Sequence, residues 1–215
     1  MPKVSESYKL NKKKEIMDAT VRVLSKKALY EINMTDVIKE AELSKGGIYL
    51  YYKDIDEILV DVMNREFKAN NFSEQLEAFR HKEYDLEDKI HKLLQLYASY
   101  LQESSELAGK LQFELTILLT QNMERALRIR EYVSIRKIGL SFTQELLAII
   151  SCYLDSKKVK DMFIYIQCVL DGVLESYVLN RCYQFDESSI DLENVMDMLA
   201  ENVIQMIKKE SARCN

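Results

Sequence analysis

Along most of the chain apolar residues recur at i, i+3, i+4 and i+7, the spacing of a helix that buries one face. Over residues 8–29 that face carries Ile16, Ala19, Thr20, Val23 and Leu24, with lysines opposite. The pattern breaks at 30–34, and Thr35, a good N-cap, opens a short helix over 35–41. Glu42 and Leu43 make a turn. Ser44 caps again, opening a helix through Gly46, Gly47, Ile48 and Tyr49 to Tyr51 or Tyr52. Asp54 stands three residues before Glu57, in capping-box register, ahead of a long helix from about Ile55 to Phe72 or on to Phe79. A polar connection over 80–86 precedes helices at 86–103, 106–120 and 124–154. The stretch 157–182 is strongly apolar, and a polar loop over 184–189 leads to a last helix at about 190–209 with the stripe Leu192, Val195, Met196, Leu199, Val203, Met206 and Ile207. Nine helices are predicted, with no internal repeat.

Composition points to the same class. The chain of 215 residues holds 5 Gly and 1 Pro, where average usage would give roughly 15 and 11. Sheet proteins and loop-rich α/β enzymes need more turn residues than that, so the expectation is an all-α fold. Pro2 interrupts no helix. No unbroken run of about 18 apolar residues occurs and no apolar leader precedes the first helix, so a cytoplasmic protein without a membrane partner is expected. Cys152, Cys168, Cys182 and Cys214 form no CxxC pair, and His81 and His91 lie far from them in sequence. Metal and cofactor are therefore expected to be absent. No nucleophile–base or phosphate-loop arrangement is visible, and an enzyme is not expected.

Charge divides the chain. The net charge is −5, but residues 1–53 carry 11 Lys/Arg against 7 Asp/Glu and the remainder 19 against 28. A basic module, 1–53, on an acidic body, 54–215, suits a polyanion partner for the first part alone. In that module two short helices joined by a tight turn follow a longer one, the layout of a helix-turn-helix. Val37, Ile38, Ala41, Leu43 and Ile48 form its expected core, braced by Val23 and Leu24. The second helix of such a unit offers its N-terminal residues to base edges, here Ser44, Lys45, Gly46 and Gly47. Two glycines weaken a short helix by about 1 kcal/mol each relative to Ala, which makes sense where backbone must approach DNA closely. Tyr49, Tyr51 and Lys53 would reach the flanking phosphates.

Residues 16–59 resemble the DNA-binding domain of the tetracycline-repressor (TetR/AcrR) family. The matching words are Ile16-x-x-Ala19-Thr20-x-x-Val23-Leu24, Met34-Thr35-Asp36-Val37-Ile38-x-x-Ala41, Leu43-Ser44-Lys45-Gly46-Gly47-Ile48-Tyr49-x-Tyr51-Tyr52-Lys53 and Asp56-Glu57-Ile58-Leu59. The resemblance implies that Thr35 contacts phosphate, that Ser44, Lys45 and Gly47 face the groove, and that Tyr49, Tyr51 and Lys53 grip the backbone. Three positions depart from the family. Glu42 stands where the family has Gly at a left-handed turn position. Gly47 stands where Thr, Ser or Ala is common, and Leu50 stands among usual polar residues, where it suits a thymine methyl.

For the rest of the chain the resemblance implies an effector-binding and dimerisation domain. Two-fold symmetry would match a palindromic operator, and a small hydrophobic effector would release a repressor from it by changing the spacing of the recognition helices. Candidate pocket residues are Tyr97, Tyr100, Phe113, Met123, Tyr132, Phe142, Met162 and Tyr165. Candidate homodimer contacts on the last two helices are Phe163, Leu170, Leu174, Tyr177, Val195, Leu199, Val203 and Met206. The alternative is a helical scaffold that keeps the fold without specific DNA binding.

Overall fold

The computed structural model describes residues 5–67, 72–183 and 190–212; the loop expected at 184–189 lies outside them. Among the described residues there are eleven helices and no strand: α1 (Glu6–Leu24), α2 (Met34–Glu40), α3 (Lys45–Ile48), α4 (Ile55–Phe67), α5 (Phe72–Arg80), α6 (Leu86–Glu103), α7 (Glu106–Gln121), α8 (Met123–Tyr132), α9 (Ile135–Ser151), α10 (Ser156–Tyr183) and α11 (Leu192–Ser211). The all-α expectation holds. The two extra helices come from divided stretches. The long helix from Ile55 gives α4 and α5, and 124–154 gives α8 and α9. The second division has a visible cause. Val133 is extended, at φ −88 and ψ 132, and Asn64 of α4 satisfies the backbone on either side: its Nδ2 donates to the Tyr132 carbonyl at 3.1 Å and its Oδ1 accepts from the Ser134 N–H at 2.7 Å. A side chain from elsewhere replaces the helical hydrogen bonds.

The chain packs as two units, Met1–Lys68 with Lys110–Ser134, and Ala69–Gly109 with Ile135–Asn215. The first thus takes in more chain than residues 1–53. Its core holds Ile16, Leu24, Val37, Ile48, Ile58, Leu59, Val62 and Met63, where each fully buried side chain of this kind contributes about 1.5–3 kcal/mol. Ion pairs fasten its helices: Arg22 to Glu40 at 2.8 Å, Lys27 to Asp36 at 2.6 Å and Arg65 to Asp18 at 2.7 Å. The Lys27 hydrogen bond holds the Asp36 carboxyl below the usual range. From α7, Lys110 Nζ donates to the Leu24 carbonyl at 2.6 Å, closing the C-terminus of α1. One turn on, the buried Glu114 accepts the Leu29 N–H at 2.8 Å.

In the second unit α6 packs along α11. Leu93, Leu94 and Ala98 are buried on one, Met196, Ala200 and Val203 on the other. At their polar margin Asp197 accepts from Gln95 at 3.1 Å and lies 3.2 Å from His91 Nδ1, and Lys208 pairs with Glu87. Arg80 of α5 joins Glu145 of α9 at 2.7 Å. Arg181 of α10 donates to the Ser104 carbonyl at 2.8 Å, just past the end of α6. By length and composition one helix among the described residues, Ser156–Cys182, is long and apolar enough to cross a membrane. Asp171 and Glu175 interrupt its apolar run, which is why a search for unbroken apolar sequence passes over it.

Burial raises the Glu114 pKa above 4.5, so the charged form is disfavoured in the folded state. The native protein therefore loses stability as pH climbs from 4.5 through the raised value, and is level beyond it. Glu114→Gln keeps an acceptor for Leu29 without that charge. Denaturant midpoints measured across this window are expected to show the variant gaining on the native protein as pH rises, with a constant difference above it.

Candidate nucleic-acid interface

The two short helices are built by capping. Asn33, not Thr35, is the N-cap of α2. Its side chain accepts from the N–H groups of Thr35 at 2.9 Å and Asp36 at 3.2 Å, while Asp36 accepts the Asn33 N–H at 3.0 Å. This is a reciprocal capping box, and it places Thr35 exposed in the first turn. At the other end of α2 the Leu43 N–H reaches the Ile38 carbonyl at 3.2 Å and the Glu42 N–H the Lys39 carbonyl at 3.4 Å. That pair of bonds is a Schellman motif, and it requires a left-handed residue between. Glu42 supplies it at φ 53.

Ser44 then caps α3, accepting the Gly47 N–H at 3.0 Å. The α-helix ends at Ile48, shorter than expected, and a turn carries the chain through Tyr51. Ile48 is fully buried. Tyr52, 2% exposed, is buried rather than offered to DNA; its hydroxyl donates to Asp61 of α4 at 2.9 Å and Lys13 Nζ stands 4.5 Å from its ring centre. Burial and Asp61 raise its pKa far above the usual phenol range, so it stays a donor. The sequence marks Tyr52 only as one of three neighbouring tyrosines, with nothing to single it out.

Around this frame Ser44, Lys45, Gly46, Tyr49, Leu50 and Lys53 are exposed, and Gly47 and Tyr51 are partly so. Leu50, at 80%, is the most exposed large apolar side chain among the described residues. A Cβ at Gly46 would meet nothing within 4 Å, whereas one at Gly47 would sit 3.1 Å from the capping Ser44 Oγ. The start of α3 is thus bare backbone with open space beside it. Lys53 is engaged with Glu57, at 3.0 Å through its ammonium and 2.8 Å through its N–H. Glu57 therefore bonds back to Lys53 rather than to Asp54, whose Oδ1 accepts the Glu57 N–H at 2.9 Å. In the lysine run Lys12 pairs with Glu15 at 2.5 Å and Lys13 with Asp61 at 3.2 Å, while Lys14 is exposed.

Beside this surface lies a cluster that sequence reasoning missed. Asp56, at the start of α4, is 9% exposed. Arg125 of α8 places Nε and Nη2 each 2.8 Å from its Oδ1, and Arg128 places Nη2 2.8 Å from its Oδ2. An arginine pair three residues apart was visible in the sequence, but its partner 69 residues away was not.

The candidate pocket residues separate. Tyr97, Tyr100, Phe142 and Met162 belong to the second unit and its core, joined by Phe72: Tyr97 and Phe142 ring centres are 5.4 Å apart, Phe72 and Tyr100 5.3 Å. Burial raises the pKa of both tyrosines, so both hydroxyls stay protonated near neutrality. Phe113, Met123 and Tyr132 fall in the first unit, and Met123 and Tyr132 are exposed at 64% and 66%. Tyr165 is exposed on α10. Of the proposed dimer contacts, Leu170, Leu199 and Val203 are buried in their own unit, Phe163, Leu174, Tyr177 and Val195 are partly covered, and Met206 is exposed. The uncovered face of α10 instead presents Ile164, Tyr165, Cys168 and Gly172. An amphipathic stripe shows which face is buried and says nothing of an apolar face left open.

Residues 16–62, the segment with this capped helix-turn-helix, match the family model described as bacterial regulatory proteins, tetR family. Over that segment the chain is similar to bacterial regulatory proteins of the tetR family. It is 28% identical over 142 residues to an uncharacterized HTH-type transcriptional regulator, YfiR, of Bacillus subtilis (63% of this chain, 62% of that one). It is 27% identical over 117 residues to a fatty acid metabolism regulator protein of the same organism (54% and 58%). The matches span about three-fifths of the length of these curated relatives. The fold resembles that of the fatty acid degradation regulator FadR from Bacillus halodurans, with a TM-score of 0.56, 18% identity, and 89% and 94% of the two chains covered.

The turn after α2 holds Glu42 in a left-handed conformation that L-residues other than Asn and Asp resist. Glu42→Gly relieves that strain, partly offset by the greater freedom of glycine in the unfolded chain. A net stabilisation of about 0.5–1 kcal/mol is expected in urea unfolding.

Proposed function

We propose that the protein is a ligand-responsive, DNA-binding transcriptional regulator, acting as a homodimeric repressor that leaves a palindromic operator when it binds a lipophilic effector. The observation that carries the DNA-binding part is α3: a capped helix start of bare backbone and lysine, flanked by exposed Thr35, Tyr49, Leu50 and Lys53. N–H groups at a helix start and tyrosine hydroxyls suit phosphate, and Leu50 suits a thymine methyl. The match of residues 16–62 to the tetR family model supports the reading, and a cytoplasmic location goes with it.

The dimer reading rests on α10. Its open face of Ile164, Tyr165, Cys168 and Gly172 is apolar enough to need a cover. Lipid suits it poorly, because Asp161, Asp171 and Glu175 are exposed on the same helix. A second copy meeting it about a two-fold axis fits, with Gly172 allowing close approach. The effector reading rests on the aromatic group Phe72, Tyr97, Tyr100 and Phe142, apolar walls carrying two neutral hydroxyls. Two of the similar proteins are named for fatty acid metabolism or degradation, and a long-chain fatty acyl compound matches such a lining.

Fluorescence anisotropy on DNA from upstream of the gene tests the first part. Tight binding that falls steeply with salt is expected, Tyr49→Ala should weaken it by about tenfold, and Lys45→Ala should reduce the salt slope by about 1. Salt-independent or absent binding, also after site selection from random sequence, would leave a scaffold. For the dimer, Cys168→Arg on the open face should convert a sedimenting dimer to monomer without unfolding it; an unchanged dimer places the interface elsewhere.

A further inference from the structure

Helix α8 runs along α4 and is fastened to it at both ends. At the start of α4 the Asp56 carboxylate takes Arg125 on one oxygen and Arg128 on the other, all at 2.8 Å. Near its end Asn64 bonds Tyr132 O at 3.1 Å and Ser134 N at 2.7 Å. On its other side α4 is bound to the helix-turn-helix by Tyr52–Asp61, Lys13–Asp61 and Arg65–Asp18. Helices α1 to α4 therefore behave as one body, and α8 grips that body through α4. The segment 110–134 is also the stretch that the backbone joins at both its ends, at Gly109 and Ile135, to the second unit. This grip links α8 to the recognition helix, alongside the hold of Lys110 and Glu114 of α7 on the end of α1 and the residues after it.

A carboxylate held by two guanidinium groups is directional, because each oxygen fixes one donor. Asp56 is almost enclosed, so it is shielded from the water that weakens exposed pairs. We propose that Asp56, Arg125 and Arg128 are positioning residues for DNA recognition: their clamp fixes α1–α4 on α8, and so sets the separation of half-sites that the dimer accepts. None of the three need touch DNA. The proposal rests on the dimeric DNA-binding reading above. It is distinct from the simpler possibility that Arg128, 57% exposed at its side chain, is a phosphate contact.

The test uses the full chain and a palindromic duplex selected from random sequence by the native protein. Companion duplexes carry one base pair more or fewer between the half-sites, or a single half-site. In Asp56→Asn and Arg128→Gln the preference for the native spacing is expected to fall on the order of fivefold or more, the low end of ordinary site-to-site coupling. Half-site affinity and its salt slope should stay as in the native protein. The sign is informative, since Asp56→Asn removes a negative charge and Coulomb attraction alone would tighten binding to every duplex. Arg128→Gln leaves the Arg125–Asp56 pair in place, and thermal melting confirms that it is folded. Retained spacing preference overturns the clamp, as does half-site affinity falling in step with the palindrome. A salt slope lower by about 1 in Arg128→Gln makes that residue a phosphate contact instead. A native protein indifferent to spacing removes the two-site reading and the proposal with it, which sets that failure apart from failure of the clamp alone.

Discussion

Helix α3 has four residues, too few to hold itself. Helix nucleation is unfavourable and isolated helices below about 12–15 residues are marginal in water; two of these four are glycines. Its conformation is imposed by three tethers: the Ser44 cap, the fully buried Ile48, and Tyr52 drawn to Asp61. The glycines become tolerable because the helix is defined from outside. In return they leave Lys45 as the one long side chain of the first turn, with open space beside Gly46. The chemistry of this surface follows from a helix that contributes almost nothing to its own stability.

Ion pairs shape the same surface. The excess of lysine and arginine in residues 1–53 suggests a free positive face, yet Lys12, Lys13, Lys27 and Lys53 each have a carboxylate partner. Exposed pairs of this kind are worth about 0–1 kcal/mol, so exchanging a carboxylate for a phosphate costs little. The pairs keep these lysines ordered.

Much of the fold was legible because it is written locally. The Ser44 cap and the bounds of α6 follow from neighbouring residues, the left-handed turn at Glu42 was implied by the family resemblance, and all three stand as read. Thr35 was misplaced as a cap because Asn33, two residues earlier, is as good an acceptor and has Asp36 three residues on to complete the box. What escaped the sequence was decided at long range. The break at Val133 belongs to Asn64, and the role of Asp56 belongs to α8. On α10 and α11 the periodic stripe identified apolar faces correctly, but Leu170, Leu199 and Val203 spend theirs on their own core. The open positions Ile164, Cys168 and Gly172 lie off that stripe, where periodicity carries no information.

The first unit is discontinuous in sequence, and this bears on how it is made. Its opening segment leaves the ribosome with the Leu24 carbonyl, the Leu29 N–H and the Asp56 carboxylate still lacking Lys110, Glu114, Arg125 and Arg128. At about 5–20 residues per second, the seventy or so residues between Asp56 and Arg128 take several seconds to emerge. The nascent recognition helix therefore spends that interval only partly supported, while growing chain that belongs to the other unit passes between the two halves. The first unit is therefore completed late in synthesis, when α8 emerges.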